Sequence, residues 1–431
     1  MQHKIRTSKK LTFGALVVLG ALIVVFAAAE VYLRCTTCLG SKPTINPYVA
    51  HPRLGWLGRP RAKICRSTPT SCARYRYNNL GFRGADHYFF KPQGTLRILV
   101  LGDSFVEGYQ FPDGKLMTDH LQKIITERLA APVEVINMGI SGWGTAQQLL
   151  AYQQMGRKLN PDLVILVFST CNDVINASET LTDLYKEKLR HLKPYFTLEN
   201  NRLELHRPPK KLIREVNEKM PSHAQLSDKP MYESLEGIWW FLGHTRVGYW
   251  LWTRWNRPSN LRVALDRMGL VTCNSELMHT TWGQHGYYRG VSLRFWIYLQ
   301  RPDPLWSDAL KTELQIIERL SAMVKHNKSR FLLVSGANIE QVEPAIWNLT
   351  LRSQPVLREF NIDLELPEKT LKKMSDYHHI AYLSLLPAFR QAAAEGQSLF
   401  LRGDGHWNEQ GQKKAAETIV AFFEQQPFIG R

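Results

Sequence analysis

Four short blocks of the chain hold residue types that can do chemistry. They are Gly102-Asp103-Ser104-Phe105, the glycine-rich run from Asn137 to Gly144, Thr170-Cys171-Asn172-Asp173, and Gly403-Asp404-Gly405-His406-Trp407-Asn408. A serine hydroxyl becomes a nucleophile when a base takes its proton and a carboxylate orients that base. Asp404, two residues before His406, supplies carboxylate and base from one loop. Ser104 stands at a strand-to-helix turn, where its hydroxyl is exposed and its own N–H can help bind an oxyanion. Asn172 offers a side-chain N–H donor of the kind found in oxyanion holes. Gly139, Gly142 and Gly144 allow close backbone approach. Each block alone has a plainer reading. Asp103 and Ser104 are ordinary turn and N-cap residues, the glycines suit any loop with positive φ, Asn172 suits an Asx turn, and His406 suits a loop histidine with satisfied hydrogen bonds. Together, in this chain order, they point to acyl transfer at a serine.

These residues need a scaffold that delivers them to one place. Arg97–Gly102 is an apolar run ending in a glycine turn and reads as a buried parallel strand. A helix is expected over 116–129, a strand over Val133–Met138, a helix over Thr145–Leu159, and a strand over Leu163–Phe168. Strand and helix alternate, which predicts an α/β domain with a parallel sheet. Its functional residues belong at the carboxyl ends of the strands. The alternation stops near Val174. Residues 180–304 are rich in Trp, Tyr, Arg and Pro and read as a long, partly helical insertion. Trp239, Trp240, Trp250, Trp252 and Trp255 either line a substrate groove there or pack against helices. The rhythm resumes with a helix over Leu305–His326, strands over Arg330–Gly336 and Ala381–Leu386, and a last helix over Glu409–Gln425. Ahead of the first strand, residues 34–93 hold Pro43, Pro47, Pro52, Pro60 and Pro69 and read as an irregular tether.

The chain has 431 residues, with 55 Lys and Arg against 38 Asp and Glu, for a formal net charge of +17. At 44% hydrophobic residues it has ample material for a core and is no disordered chain. Lys4, Arg6, Lys9 and Lys10 precede an uncharged run from Leu11 to Ala29. As a helix that run reaches about 28 Å, close to the hydrocarbon thickness of a bilayer. The basic flank places the N-terminus in the cytoplasm and the body outside it. Ala27-Ala28-Ala29 also has the form of a signal-peptide cleavage site, with the same consequence for the body. The remaining positive charge is scattered, without an RNP-type motif, zinc finger or basic helix, so no nucleic-acid partner is expected. An exported body gives the cysteines an oxidising setting, and local disulfides within Cys35/Cys38 and Cys65/Cys72 are plausible. Cys171 reads as a small buried residue. His244, His279, His285, His378 and His379 show no metal-ligand spacing.

The four blocks resemble those of the SGNH/GDSL hydrolase superfamily, named for Ser, Gly, Asn and His in successive blocks. The resemblance covers roughly residues 94–175 and 305–431. Ser104 matches the family nucleophile and His406 its general base. The N-x-x-x-x-G spacing from Asn137 makes Gly142 the oxyanion glycine, and Asn172 matches the third-block asparagine. The run Asn79-Leu80-Gly81-Phe82-Arg83-Gly84 ahead of the first strand, with the closing Asp404-Gly405-His406-Trp407-Asn408, is similar to membrane-anchored bacterial members. Two positions depart from the family. Thr170 replaces the glycine of the usual G-x-N-D. The usual D-x-x-H becomes D-x-H, with Gly403 three residues before His406, an arrangement similar to that of the alginate O-acetylation proteins.

The resemblance implies a flavodoxin-like three-layer α/β/α sandwich of about five parallel strands. Its parts would be a cytoplasmic flank and transmembrane anchor (1–33), a juxtamembrane segment (34–93), a first core part (94–179), the insertion (180–304) and a second core part (305–431). It implies an extracytoplasmic serine esterase with Ser104, His406 and Asp404 catalytic. Ser104, Gly142 and Asn172 would form the oxyanion hole, with Asp103 and Asp173 shaping the site and neither metal nor cofactor required. Family and setting together suggest O-acyl, foremost O-acetyl, esters of a cell-envelope glycan. An O-acyltransferase on the same site and a non-catalytic glycan-binding or assembly protein are the alternatives.

Overall fold

The computed structural model describes residues 17–29, 31–32, 47–67, 72–129, 131–187, 189–219, 286–401 and 404–425. Its centre is a five-stranded parallel sheet of β5 (Leu96–Gly102), β6 (Val133–Gly139), β7 (Leu163–Ser169), β12 (Arg330–Gly336) and β13 (Ala381–Ser384). The spatial order is β6-β5-β7-β12-β13. Counted within the sheet this is 2-1-3-4-5, the flavodoxin-like order, whose switch point lies between β5 and β7. The smaller strands are paired as antiparallel hairpins, β1 (Tyr48–His51) with β2 (Gly55–Gly58), β3 (Lys63–Ser67) with β4 (Cys72–Arg76), β8 (Tyr195–Glu199) with β9 (Arg202–His206), and β10 (Tyr287–Tyr288) with β11 (Val291–Ser292).

Both faces of the sheet are covered, which is why its strands are continuous apolar runs. Leu99, Leu101, Ile136, Val164, Leu166 and Leu333 face one layer, with the helices Thr145–Gln154 and Pro304–His326. Ile98, Val100, Val135, Ile165, Val167 and Leu332 face the other, with Met117–Leu129, Leu386–Ala394 and Glu409–Gln425. The alternation along each strand follows the two-residue period of a pleated strand.

Expectation and structure differ in three places. The tether is more ordered than its prolines suggest. From residue 47 it forms two hairpins and buries Leu54, Trp56, Tyr77 and Phe82 in the same core as the first sheet face. The helix expected over Thr145–Leu159 ends at Gln154 and gives way to a tighter turn over Gly156–Leu159. A Cβ at position 156 would lie 2.7 Å from Tyr152 Cδ2, so the close packing there requires glycine. At the N-terminus, no helix among the described residues is long and apolar enough to cross a membrane. A helix over 17–29 takes in part of the expected span, and residues 11–16 lie outside the described residues.

The β8–β9 hairpin and the helix Lys210–Lys219 open the insertion, and Asn217 ties that helix to the backbone of Ala50. The five insertion tryptophans, Cys35 and Cys38 lie outside the described residues. Cys65 pairs in register with Arg74, and Cys72 with Ser67.

Candidate active site

The helix after β5 is a single turn, Ser104–Glu107. Asp103 caps it by accepting from the Phe105 N–H at 2.9 Å. The turn sits tight against β6, where a Cβ on Gly139 would lie 2.6 Å from the Glu107 nitrogen. Asn137 donates to the Val106 carbonyl at 2.6 Å and fastens β6 to this turn. At its far end Arg83, fully buried, donates to the carbonyls of Glu107, Gly108 and Phe111. Those are acceptors that a helix end leaves open, so the Asn79–Gly84 run serves as a cap for the serine-bearing turn.

His406 arrives on a loop pinned from both sides. Leu401 N–H donates to the His406 carbonyl at 2.8 Å, and Trp407, wholly buried, donates from Nε1 to Ala337 at 3.0 Å. Asn408 begins the last helix by accepting from the Gly411 N–H. Gln412 in that helix donates to the Phe105 carbonyl and accepts from Met117 N–H, joining the histidine element to the serine element.

The result is a direct contact of 2.7 Å between Ser104 Oγ and His406 Nε2. Asp404 Oδ1 meets His406 Nδ1. The carboxylate keeps the proton on Nδ1, which leaves Nε2 to accept from the serine hydroxyl. Burial opposes ionisation of Asp404, but the imidazole charge and its hydrogen bonds outweigh that and hold the carboxyl below its ordinary pKa. Ser104 and His406 are each 8% exposed, so the pair is shielded yet reachable. Phe105 lies 4.7 Å from the imidazole, ring centre to ring centre, and Tyr109 presents an edge-on ring at 5.9 Å.

Among the described residues, neither the Ser104 N–H nor the Gly142 N–H donates a hydrogen bond within the protein. Gly142 has φ +76°, a left-handed conformation that favours glycine. Asn172 stands at the end of β7 with its amide against Asp103. Burial raises the pKa of Asp103, while the Phe105 N–H, His406 and Asn172 pull the other way. Asp173 is buried below them and accepts from the Ser169 N–H at 2.6 Å; burial and the nearby Asp103 charge push its pKa well up. Thr170, where the resemblance leads one to expect glycine, donates to the Gly336 carbonyl and accepts from Asn338. Its hydroxyl is thereby satisfied away from Ser104. Burial pushes the neighbouring Cys171 thiol up to about 12, which leaves it a neutral packing group.

Several residues at this site escaped the sequence reading. Glu107, with no exposed surface, receives the hydroxyls of Tyr48 and Tyr77 and both the N–H and hydroxyl of Ser141. Trp56 donates to the Ser141 carbonyl at 3.0 Å, and Lys193 to the Gly142 carbonyl at 2.9 Å. Glu107 had a signal, three residues past the serine; Trp56 and Lys193 carried none. Among the described residues, no three His, Cys, Asp or Glu side chains gather as a metal centre requires.

Two family models match the chain. Residues 100–225 match the GDSL-like Lipase/Acylhydrolase family, and residues 368–431 match the SGNH hydrolase-like domain, acetyltransferase AlgX. No curated protein matches. Among solved structures, TesA aligns over 77% of this chain and 99% of its own, at 11% identity and a TM-score of 0.35. The acetyl xylan esterase AlAXEase aligns over 76% and 99%, at 11% identity and a TM-score of 0.36. A variant of Axe2, an acetyl-xylooligosaccharide esterase from Geobacillus Stearmophilus, aligns over 76% and 93%, at 9% identity and a TM-score of 0.36.

Proposed function

We propose that the chain carries an SGNH-type domain that hydrolyses esters, with Ser104, His406 and Asp404 performing the reaction through an acyl-enzyme. The observation that carries the reading is the 2.7 Å contact of Ser104 Oγ with His406 Nε2, with Asp404 on the opposite ring nitrogen. Ser104 attacks the ester carbonyl as its proton passes to Nε2. The tetrahedral oxyanion is received by the N–H groups of Ser104 and Gly142 and by the Asn172 amide. The imidazolium then gives its proton to the leaving alkoxide, and the alcohol departs. Water, deprotonated by the same imidazole, attacks the acyl-serine and releases the acid. Asp404 stays ionised throughout and stabilises the imidazolium.

The enzyme in this reading is anchored in the membrane by its N-terminal segment and works on the extracytoplasmic side. The basic flank at residues 4–10 and the outward-facing Val17, Val18, Leu22, Ile23, Val24 and Val25 of the helix over 17–29 support that placement. Its substrates are O-acyl, foremost O-acetyl, esters on a cell-envelope glycan. A second reading uses the same acyl-enzyme with a sugar hydroxyl in place of water. It is favoured by the match of residues 368–431, which hold Asp404 and His406, to the acetyltransferase-type domain. A non-catalytic glycan-binding role has the Ser104–His406 contact against it.

The test uses the full chain in detergent. Wild type should react with a fluorophosphonate at Ser104 and hydrolyse a chromogenic acetyl ester, and Ser104→Ala should do neither. Turnover unchanged in Ser104→Ala would overturn the assignment. Adding an acetylatable glycan separates the two readings: acyl transfer to the sugar in excess of hydrolysis favours the transferase.

A further inference from the structure

Resting on the reading of Gly142 as an oxyanion donor, we propose that Lys193, supplied by the insertion, is a positioning residue that locks the Gly142 peptide in its donating orientation together with Trp56. The peptide between Ser141 and Gly142 is trans, as are all the described peptides. In a planar trans peptide the N–H points opposite to the carbonyl. Trp56 Nε1 holds the Ser141 carbonyl at 3.0 Å, so the Gly142 N–H is turned away from Trp56 and left to substrate. The next carbonyl, of Gly142 itself, is held by Lys193 Nζ at 2.9 Å. Successive carbonyls are thus gripped by two donors from different parts of the chain, while Glu107 takes the Ser141 N–H at 2.7 Å.

The grip leaves little room to move. A Cβ on Gly142 would meet Trp56 Cζ2 at 3.2 Å and Glu187 Cδ at 3.3 Å. Lys193 is 3% exposed, donates also to Asn176 Oδ1, and lies 5.8 Å from the centre of the Trp56 ring. A buried ammonium is costly unless its donors are used, and here they bind the oxyanion loop and the element after Asn172. Burial lowers the lysine to about 8, against the raising influence of Glu187, Asp173, Glu313 and Asp103, which face it from separate elements. Deprotonation at mildly alkaline pH therefore turns this charge-assisted clamp on the Gly142 carbonyl into a weaker neutral one.

Catalysis gains because the donor needs no reorientation when the oxyanion forms. The insertion thereby becomes part of the catalytic apparatus rather than an appendage.

The experiment compares full-length wild type, Lys193→Met and Trp56→Phe on a chromogenic acetyl ester across pH. Lys193→Met should lower kcat about 10- to 100-fold with KM within about twofold, since one oxyanion donor is misaligned rather than deleted. Wild type should lose kcat above about pH 8, and Lys193→Met should lack that alkaline fall. Trp56→Phe keeps the ring and removes the Nε1 donor, so it should show the same split between kcat and KM. If Lys193→Met does not fold, the alkaline fall in wild type and the Trp56→Phe split decide. Wild-type kcat in a folded Lys193→Met, or no alkaline fall together with an unaltered Trp56→Phe, overturns the proposal. Fluorophosphonate labelling of wild-type Ser104 is measured in parallel. Its absence would sink the esterase reading itself, whereas labelling with unaltered kcat in the variants sinks only the clamp.

Discussion

Replacing Glu107 tests whether one buried carboxylate holds the serine turn and the oxyanion loop together. Four donors converge on it: the Tyr77 and Tyr48 hydroxyls and the N–H and hydroxyl of Ser141. Hydrogen bonds to a charged group contribute about 1.5–3 kcal/mol each, neutral ones about 1. Glutamine keeps the shape and one oxygen. Its best placement turns the new –NH2 toward the two tyrosine hydroxyls, which can rotate to accept, and keeps the oxygen for the Ser141 N–H, which cannot. Four charge-assisted bonds then become neutral ones, a loss of about 2–8 kcal/mol. Leucine instead orphans the donors. Tyr48 and Ser141 are only half-buried and can find water, but Tyr77, at 1% exposure, cannot. That adds about 1–3 kcal/mol for the orphaned Tyr77 hydroxyl. Chemical unfolding followed by tryptophan fluorescence gives the order, wild type above Glu107→Gln above Glu107→Leu. Ester kinetics on the folded fraction should show kcat falling more than KM rises, because Ser141 adjoins Gly142. A Glu107→Leu protein within about 1 kcal/mol of wild type, below the net worth of one such bond, would refute the assignment of Glu107 as the hub.

Two further substitutions probe the charges around the site. Asp404→Asn presents an N–H to His406 Nδ1 and enforces the wrong tautomer. Its kcat should fall by on the order of 10⁴ at every pH with the fold intact by circular dichroism, and a loss below tenfold would mean that another group orients His406. Glu313→Gln tests a linkage. Burial lifts Glu313 from 4.5 to about 8, against opposing pulls from Thr145 and Lys193. A carboxyl raised in the folded state stabilises fully below its unfolded pKa, and that contribution is lost as pH rises to the folded value. Wild-type Tm should therefore fall between about pH 4.5 and 8, and Glu313→Gln should flatten the fall; an identical slope would show that Glu313 is ionised in the folded protein. Lys193, depressed from 10.5 to about 8, acts in the separate window between those values.

What the sequence disclosed follows from burial. Strands covered on both faces are continuous apolar runs, so β5, β6, β7 and β12 stand out, and their carboxyl ends mark where Ser104, Gly142 and Asn172 must lie. The closing loop was legible because Asp404 and His406 are near neighbours. The hairpins over 48–58 and 63–76 were hidden, since strands of four or five residues between prolines show no clear alternation, and their burial depends on the sheet face they meet. Lys193 was illegible for another reason. A lysine reads as surface, and its partners Gly142 and Asn176 are 51 and 17 residues away. Thr170 was visible as a departure, but the Gly336 and Asn338 groups that accommodate it come from beyond the insertion.

The two halves of the site are held by different parts of the molecule. The serine and histidine are fixed from inside the sandwich, through Trp407 on Ala337 and Gln412 on Phe105. The proposed oxyanion loop is held from outside it, by Trp56 of the segment before β5 and Lys193 of the insertion. Glu107 couples the two, because it belongs to the serine turn and accepts the Ser141 N–H, while Arg83 of the segment before β5 caps the same turn. Changes at Trp56 or Lys193 act first on the Gly142 peptide, and in the proposed reaction on the step that leads from the bound ester to the acyl-enzyme.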